Sequence, residues 1–564
     1  MNSLLLAILA FVGYWLAYNT YGKWIAKKIF GLNDNNPVPS KEFEDGVDYV
    51  PTKKHILLGH HFTTIAGTGP IVGPAIGVIW GWVPAFIWVF FGSIFMGAVH
   101  DFTSLVVSAR NQGKTIGELT GNLINERTAK IFLILIQFLL WIVLAVFGLI
   151  VALLFNMYPQ SVFPVWMEIP IAMWLSYMIY NKGKNDTLYS IIAVILMYVT
   201  IGIGVVMPIK LGGNAIITWI YILMAYVFIA STMPVHKLLQ PRDYINSHEL
   251  LIAMGLLVLG VIIGHPKIVA PAFQTVPDAP PIFPILFITI ACGAISGFHS
   301  LAASGTTVKQ LEKETDAQMI GYGGMILEGV LATIVIIAVT AGLGMNGGGV
   351  EAFTSHYSSW AAASGLGAKL SAVINGSANL MNSYGIPLDL AKTIMAVFIV
   401  SFAGTTMDSS TRIQRFALQE LFSNKEGKII VKPLENRYVA TAIVILAAMG
   451  LALSTGDGKG ALILWPVFGA LNQLLASLAL LIGTVYLAQK KKPIWITGLP
   501  MLFMMVMTLY ATVLNLKKFI ASNNSLLIFI TVATLIIALW IFVEGFIAIA
   551  RAGKKDLEEV EEEI

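Results

Sequence analysis

Two histidines, three threonines, four glycines and two prolines crowd the run GHHFTTIAGTGPIVGP at 59–74, within a segment otherwise apolar enough to cross a membrane. Imidazole is the side chain that exchanges a proton near neutral pH, which makes the histidines candidates for proton transfer. Thr63, Thr64 and Thr68 add hydroxyls beside them. Gly67, Gly69, Pro70, Gly73 and Pro74 remove helix-supporting side chains and backbone donors in mid-segment. The N–H and C=O groups freed by such an interruption are tolerated at membrane depth only where they line an enclosed cavity. The competing reading is a proline kink whose small residues let neighbouring helices approach closely.

Four further ionisable groups stand in apolar surroundings: His100 and Asp101 in FMGAVHDFTSLVVSAR, His299 in SGFHSLAASGTT, and Glu328 in GYGGMILEGVLATIVIIAV. Each such group costs about 2.5–3.5 kcal/mol at the centre of a membrane helix and seldom faces lipid. At a rise of about 1.5 Å per residue, His61, His100 and His299 fall roughly 10–15 Å from the nearest flanking Lys or Arg, at one depth, and Glu328 falls near the midplane. The spacing therefore predicts one chamber. For any single histidine, a hydrogen bond to a neighbouring helix is the competing expectation.

The elements that must position these groups are membrane helices. The chain has 564 residues, 57% of them hydrophobic and only 12% charged, with a mean hydropathy of +0.78. That excludes a soluble domain and defines an all-α polytopic integral membrane protein. Apolar windows predict about fifteen helices, near 3–27, 61–81, 84–109, 130–156, 164–181, 187–209, 214–232, 248–264, 282–300, 316–343, 388–407, 435–454, 460–487, 494–515 and 525–550. The first lacks a basic residue before its apolar run and reads as a retained helix with its start outside. Lys210, Lys267, Lys369, Lys459, Lys517 and Lys518 then face outward, Lys392 lies within a helix, and the other basic residues fall in cytoplasmic loops. This puts the C-terminus in the cytoplasm.

The net charge of +4 follows from this loop bias and implies no nucleic-acid partner. Cys292, the single cysteine, reads as a small buried residue. The Gly- and Ser-rich stretch at 344–383 reads as an extracellular loop with short helices. Residues 1–490 read as a core, 491–551 as two further helices and 552–564 as a solvated acidic tail. Gly59, His61, Gly67 and Thr68 match Gly297, His299, Gly305 and Thr306 at identical spacing, which suggests paired discontinuous helices of an inverted repeat.

The strings GHHFTTIAGTGPIVGPAIGVIWGW, HDFTSLVVSARNQGKTIGEL, FHSLAASGTTVKQLEKETDAQMIGYGGMILEG, FAGTTMDSSTRIQRFALQEL and LWPVFGALNQLLASLAL resemble, in order from about 50 to 490, the carbon starvation protein A family. The resemblance implies uptake of small nutrients across the bacterial cytoplasmic membrane. Peptides and pyruvate are the substrate types, with proton symport for the pyruvate carriers. It also implies an inverted-repeat core with broken helices. The chain is shorter than the long members of the family, whose extra C-terminal helices and tail are reduced here.

Under this reading His61, His100, Asp101 and Glu328 couple protons, while Thr63, Thr64, Gly67, Thr68, Gly69, His299, Gly305, Thr306, Asn472 and Gln473 hold a carboxylate-bearing substrate. Thr405, Thr406 and Asp408 sit at a cytoplasmic gate. The expected coupling ion is H+, with Na+ held by unwound carbonyls as the competing scheme for a peptide or amino-acid carrier. No cofactor, metal or enzymatic activity is expected. A metalloenzyme using His60, His61, His100, Asp101 and His299 has no HExxH string to support it, and a nutrient sensor has no signalling domain. The remaining partners are a small molecule and the bilayer, and the sequence leaves the oligomeric state open.

Overall fold

The computed structural model describes residues 2–424 and 428–562, with side chains described through 552. Among these residues twelve helices are long and apolar enough to cross a membrane: Ser3–Ile29 (α1), Trp82–Ala109 (α4), Glu126–Met157 (α5), Pro159–Asn181 (α6), Asp186–Val206 (α7), Ala215–Thr232 (α8), Leu239–Gly264 (α9), Glu314–Gly344 (α12), Leu388–Leu421 (α14), Trp465–Gln489 (α16), Trp495–Ala521 (α17) and Ser525–Ala552 (α18). Lys54–Ala66 (α2) and Gly69–Trp80 (α3) form a thirteenth span bent by 45°. The two remaining expected windows hold Arg437–Leu453 (α15), an apolar helix one residue shorter than the shortest of these, and a segment split between Ile282–Thr289 (α10) and 297–310 (α11).

Burial sorts these helices into an inner set and an outer ring. The most apolar stretch of α16 is wholly buried, whereas a third of that in α1 and in α18 is. In α18 Phe529, Ile536, Leu539 and Val543 are exposed, one turn or two apart, as a lipid-facing stripe requires. Polar caps mark helix starts: Asn125 Oδ1 accepts from the Thr128 amide at 2.9 Å, and Asn436 Oδ1 from that of Tyr438 at 2.9 Å.

Several expected boundaries change. α9 begins at Leu239, not near 248, and α14 runs on to Leu421, not to 407. Both extensions are polar sequence, QPRDYINSH and DSSTRIQRF, which a hydropathy window reads as loop. They stay helical because other parts of the protein supply their polar partners: Gln414 Nε2 donates to the Gln137 carbonyl at 3.1 Å, Arg412 pairs with Asp48 in the segment before α2, and Asp243 meets His60. Arg242, Lys309, Arg412 and Arg415 are consequently buried, not in loops, which corrects the charge count behind the expected topology. The stretch 344–383 is not simply a loop, since Leu366–Asn382 (α13) packs into the bundle against α14 and α12. The side chains of the expected acidic tail lie outside the described residues.

Candidate functional site

The first segment breaks where glycine and proline replace helix-supporting residues, the second within IACGAIS, and the two interruptions lie against each other. In the first, Gly67 adopts φ +47° between α2 and α3. A side chain there would be strained, and its Cβ would meet Thr406 Oγ1 at 2.7 Å and Phe147 at 3.0 Å. In the second, residues 290–296 separate α10 from α11. The glycines of α3 form the close contact between them: Gly69 packs on Cys292, and a Cβ on Gly73 would lie 2.9 Å from the Thr289 carbonyl oxygen.

The order of the halves is reversed between the segments. His61 precedes its interruption and His299 follows its own, so the two histidine-bearing halves share one side of the crossing. The matched spacing of Gly59, His61, Gly67 and Thr68 with Gly297, His299, Gly305 and Thr306 is therefore not the repeat itself. Gly67–Thr68 is an interruption, whereas Gly305 and Thr306 lie in an unbroken π-helical turn, where Gly305 packs on Ile413. The two-fold rotation of an inverted repeat superposes interruption on interruption, which would match 67–68 with 290–296 and not with 305–306.

Beside this crossing four ionisable side chains form a continuous chain, none more than 1% exposed. Asp101 Oδ1 meets His100 Nδ1 at 2.7 Å and Asp101 Oδ2 meets His299 Nδ1 at 2.9 Å. On its other edge, His299 Nε2 lies 3.3 Å from Glu328 Oε2, an ion-pair distance without hydrogen-bond alignment. His61 Nδ1 contacts Thr307 Oγ1 at 2.8 Å, and its ring borders Gly324 on α12, the helix that carries Glu328. The single chamber expected from depth alone thus brings together His100, Asp101, His299 and Glu328, with His61 at its edge.

This arrangement can hold a proton in two places. When His299 donates Nδ1–H to Asp101, its Nε2 is either protonated, facing a Glu328 carboxylate, or bare, facing a Glu328 carboxylic acid. A small displacement of either helix moves the proton between them.

The other expected site residues are largely engaged by protein. Thr63 Oγ1 donates to the Gly59 carbonyl at 2.8 Å, Thr64 contacts Ser409 at 3.1 Å and Thr306 donates to the Ala302 carbonyl at 3.1 Å. Thr68 is buried at the start of α3, where its carbonyl accepts from Val72 N at 2.9 Å. Asn472 Oδ1 caps the Phe298 amide at 3.0 Å, and Gln473 Nε2 donates to the Ile295 carbonyl at 3.1 Å. Both side chains thus fasten the second interruption to α16. Thr405 and Thr406 lie deep in α14, and Asp408 stands mid-helix, not at the helix end expected for it, in contact with Arg242 and with Tyr226 Oη at 2.9 Å.

Sequence reading missed the partners of Asp408. Arg242 also lies 3.4 Å from Glu168 Oε2, and Asp243 lies 2.5 Å from His60 Nδ1. Glu168, alone in the apolar run VFPVWMEIPIAMW, carried the same signal that singled out Glu328; Arg242 and Asp243 carried none, because hydropathy placed them in a loop. Among the described residues no group of three or more His, Cys, Asp or Glu side chains converges as a metal site would require.

A buried chain of ionisable side chains, beside two crossing interrupted helices in a bundle of apolar spans, defines a multi-pass membrane transporter. Residues 2–346 and 345–511 match the family model described as Carbon starvation protein CstA, and the chain belongs to that family. It is 31% identical to a Campylobacter jejuni protein named peptide transporter CstA, over 93% of this chain and 82% of that one. Identity is also 31% to the pyruvate/proton symporter BtsT of Escherichia coli, over 90% of this chain and 80% of that one. It is 30% to peptide transporter CstA of Bacillus subtilis, over 98% and 97%. Among solved structures, a mutant manganese transporter of Eremococcus coleocola aligns with a TM-score of 0.46 at 12% identity, covering 90% of this chain and 99% of that one; a likeness this distant carries no argument.

Proposed function

We propose that this chain imports a small carboxylate-bearing nutrient, pyruvate or a short peptide, across the bacterial cytoplasmic membrane by proton symport, and that it is not an enzyme. The observation that carries the reading is the enclosed chain His100–Asp101–His299–Glu328 beside the crossing interruptions. A related pyruvate/proton symporter supports both the ion and the substrate class, and related peptide transporters support the alternative substrate. Backbone groups at the interruptions, with Thr68, supply donors for a carboxylate, the start of α3 adds positive potential, and His299, expected to hold substrate, faces Asp101 and Glu328 instead. An anion entering with one proton carries no net charge and is driven by the pH gradient alone, whereas each further proton in the cycle adds a charge that the membrane potential also drives. The N-terminus lies outside and the C-terminus in the cytoplasm.

The test is uptake of labelled pyruvate and of a labelled dipeptide by proteoliposomes under an inward proton gradient, with and without sodium. Accumulation of either substrate that survives sodium removal is expected. Accumulation that requires sodium would overturn the coupling ion, and uptake of neither substrate would overturn the substrate class.

A further inference from the structure

A second enclosed cluster of ionisable side chains lies on the opposite flank of α2. One face of α9 presents Arg242, Asn246 and Glu249, four and three residues apart. Arg242 is held by Asp408, Tyr226 and Glu168, and Asn246 Nδ2 donates to Thr405 Oγ1 at 3.2 Å. Glu249 is 1% exposed, and neither of its carboxylate oxygens has a hydrogen-bond partner. It lies about 15 Å along a helix about 39 Å long, close to the middle of the membrane.

The groups around Glu249 offer it no cation. Glu168 from α6 and Tyr198 from α7 are its electrostatic neighbours, and the Tyr198 hydroxyl is itself buried without a partner. From α2 comes His60, engaged with Asp243; from α14 comes Asp408, engaged with Arg242. Glu328 of α12 is engaged with His299. His248, next to Glu249, spends Nδ1 on the Tyr244 carbonyl at 2.7 Å. α13 meets α9 three turns further on, at Gly260 against Leu380. Arg242 thus faces two carboxylates already, and it is not among the charges that act on Glu249.

An ionised carboxylate with neither donor nor cation is not retained at membrane depth, whereas the neutral acid is. We propose that Glu249 is a second proton-binding site of the transport cycle, protonated in this enclosed state and separate from the His299 chain. The proton is taken from water as a carboxylic O–H when the interior opens to one side, and is returned to water from the other. Successive residues of α2 join the two sites, since His60 faces Asp243 and His61 faces Thr307. A tilt of α2 at Gly67 therefore alters both sets of contacts together. The inference rests on the proton-coupled reading above.

The test is infrared titration of the carboxylic-acid C=O band of the purified protein, wild type against Glu249→Gln, together with the pH profile of pyruvate uptake by both in proteoliposomes. Glutamine keeps the size of the neutral acid, and matched thermal unfolding checks that the variant folds. The expected result is a band present at neutral pH in the wild type, lost on titration to alkaline pH and missing in the variant. The variant's uptake is expected to fall at least tenfold and to respond less steeply to the proton gradient, with Glu249→Asp restoring part of both. Absence of the band, a band that never titrates, or an unchanged pH profile in Glu249→Gln overturns the proposal. If wild-type uptake ignores the proton gradient, the proposed coupling fails on its own, and titration of the band alone decides whether Glu249 binds a proton.

Discussion

His100, Asp101, His299 and Glu328 were legible as individuals because an ionisable residue in an apolar run is conspicuous, and counting rise per residue put His61, His100 and His299 at one depth and Glu328 near the midplane. Their order was not legible: that Asp101 bridges two histidines and that Glu328 closes the far edge of His299 depends on how α4, α11 and α12 pack. Asp101→Asn keeps the shape and removes the charge that both rings face. It should leave the protein folded and abolish the pH dependence of uptake, measured as initial rates across external pH. Arg242 was invisible, since its window reads as loop, yet two buried carboxylates depend on it. Arg242→Ala should cost about 3–5 kcal/mol by leaving them unpaired. The double variant Arg242→Ala with Asp408→Ala should be less destabilised than the two single losses summed, which thermal unfolding in detergent would show.

At the scale of elements, hydropathy finds helices that lie in lipid and misses those whose polar side chains are met inside the protein. α14 illustrates both, since its first half appeared in the expected window and its second half did not, although Asp408, Arg412 and Gln414 lie on the same continuous helix. The interruptions were legible at 67–69 from glycine and proline, and only partly at 290–296, where the window showed an ordinary helix. Gly67 is the position where the backbone itself decides the geometry. Gly67→Ala should destabilise by about 1–3 kcal/mol, because it combines a left-handed φ with a Cβ pressed on Thr406 and Phe147. It should also slow uptake more than Gly305→Ala, whose site is an unbroken turn with an ordinary φ.

At the scale of the whole molecule, one charged network ties the segment before α2 to the ends of α11 and α14. Asp48 pairs with Arg412 and Arg415, and the Lys309 ammonium lies 3.5 Å from the Phe416 ring centre. Burial alone would raise the Asp48 carboxyl, but the charges of Arg412, Arg415 and Lys309 outweigh it and hold the pKa below the ordinary carboxylate value. A depressed folded-state pKa gives stability that is present above the unfolded value, about 3.9, and is lost as pH falls through the folded one. Asp48→Asn should therefore melt earlier than wild type at neutral pH, and the difference should shrink below about pH 4. The network lies among the buried sites' own helices, and the proposed coupling requires that proton and substrate enter in one cycle. The most direct measurement is internal pH in proteoliposomes loaded with a pH-sensitive dye as pyruvate is added outside without sodium. Pyruvate-driven acidification in wild type and none in Asp101→Asn is the predicted result. Pyruvate uptake without proton entry, or acidification undiminished in Asp101→Asn, would contradict the account.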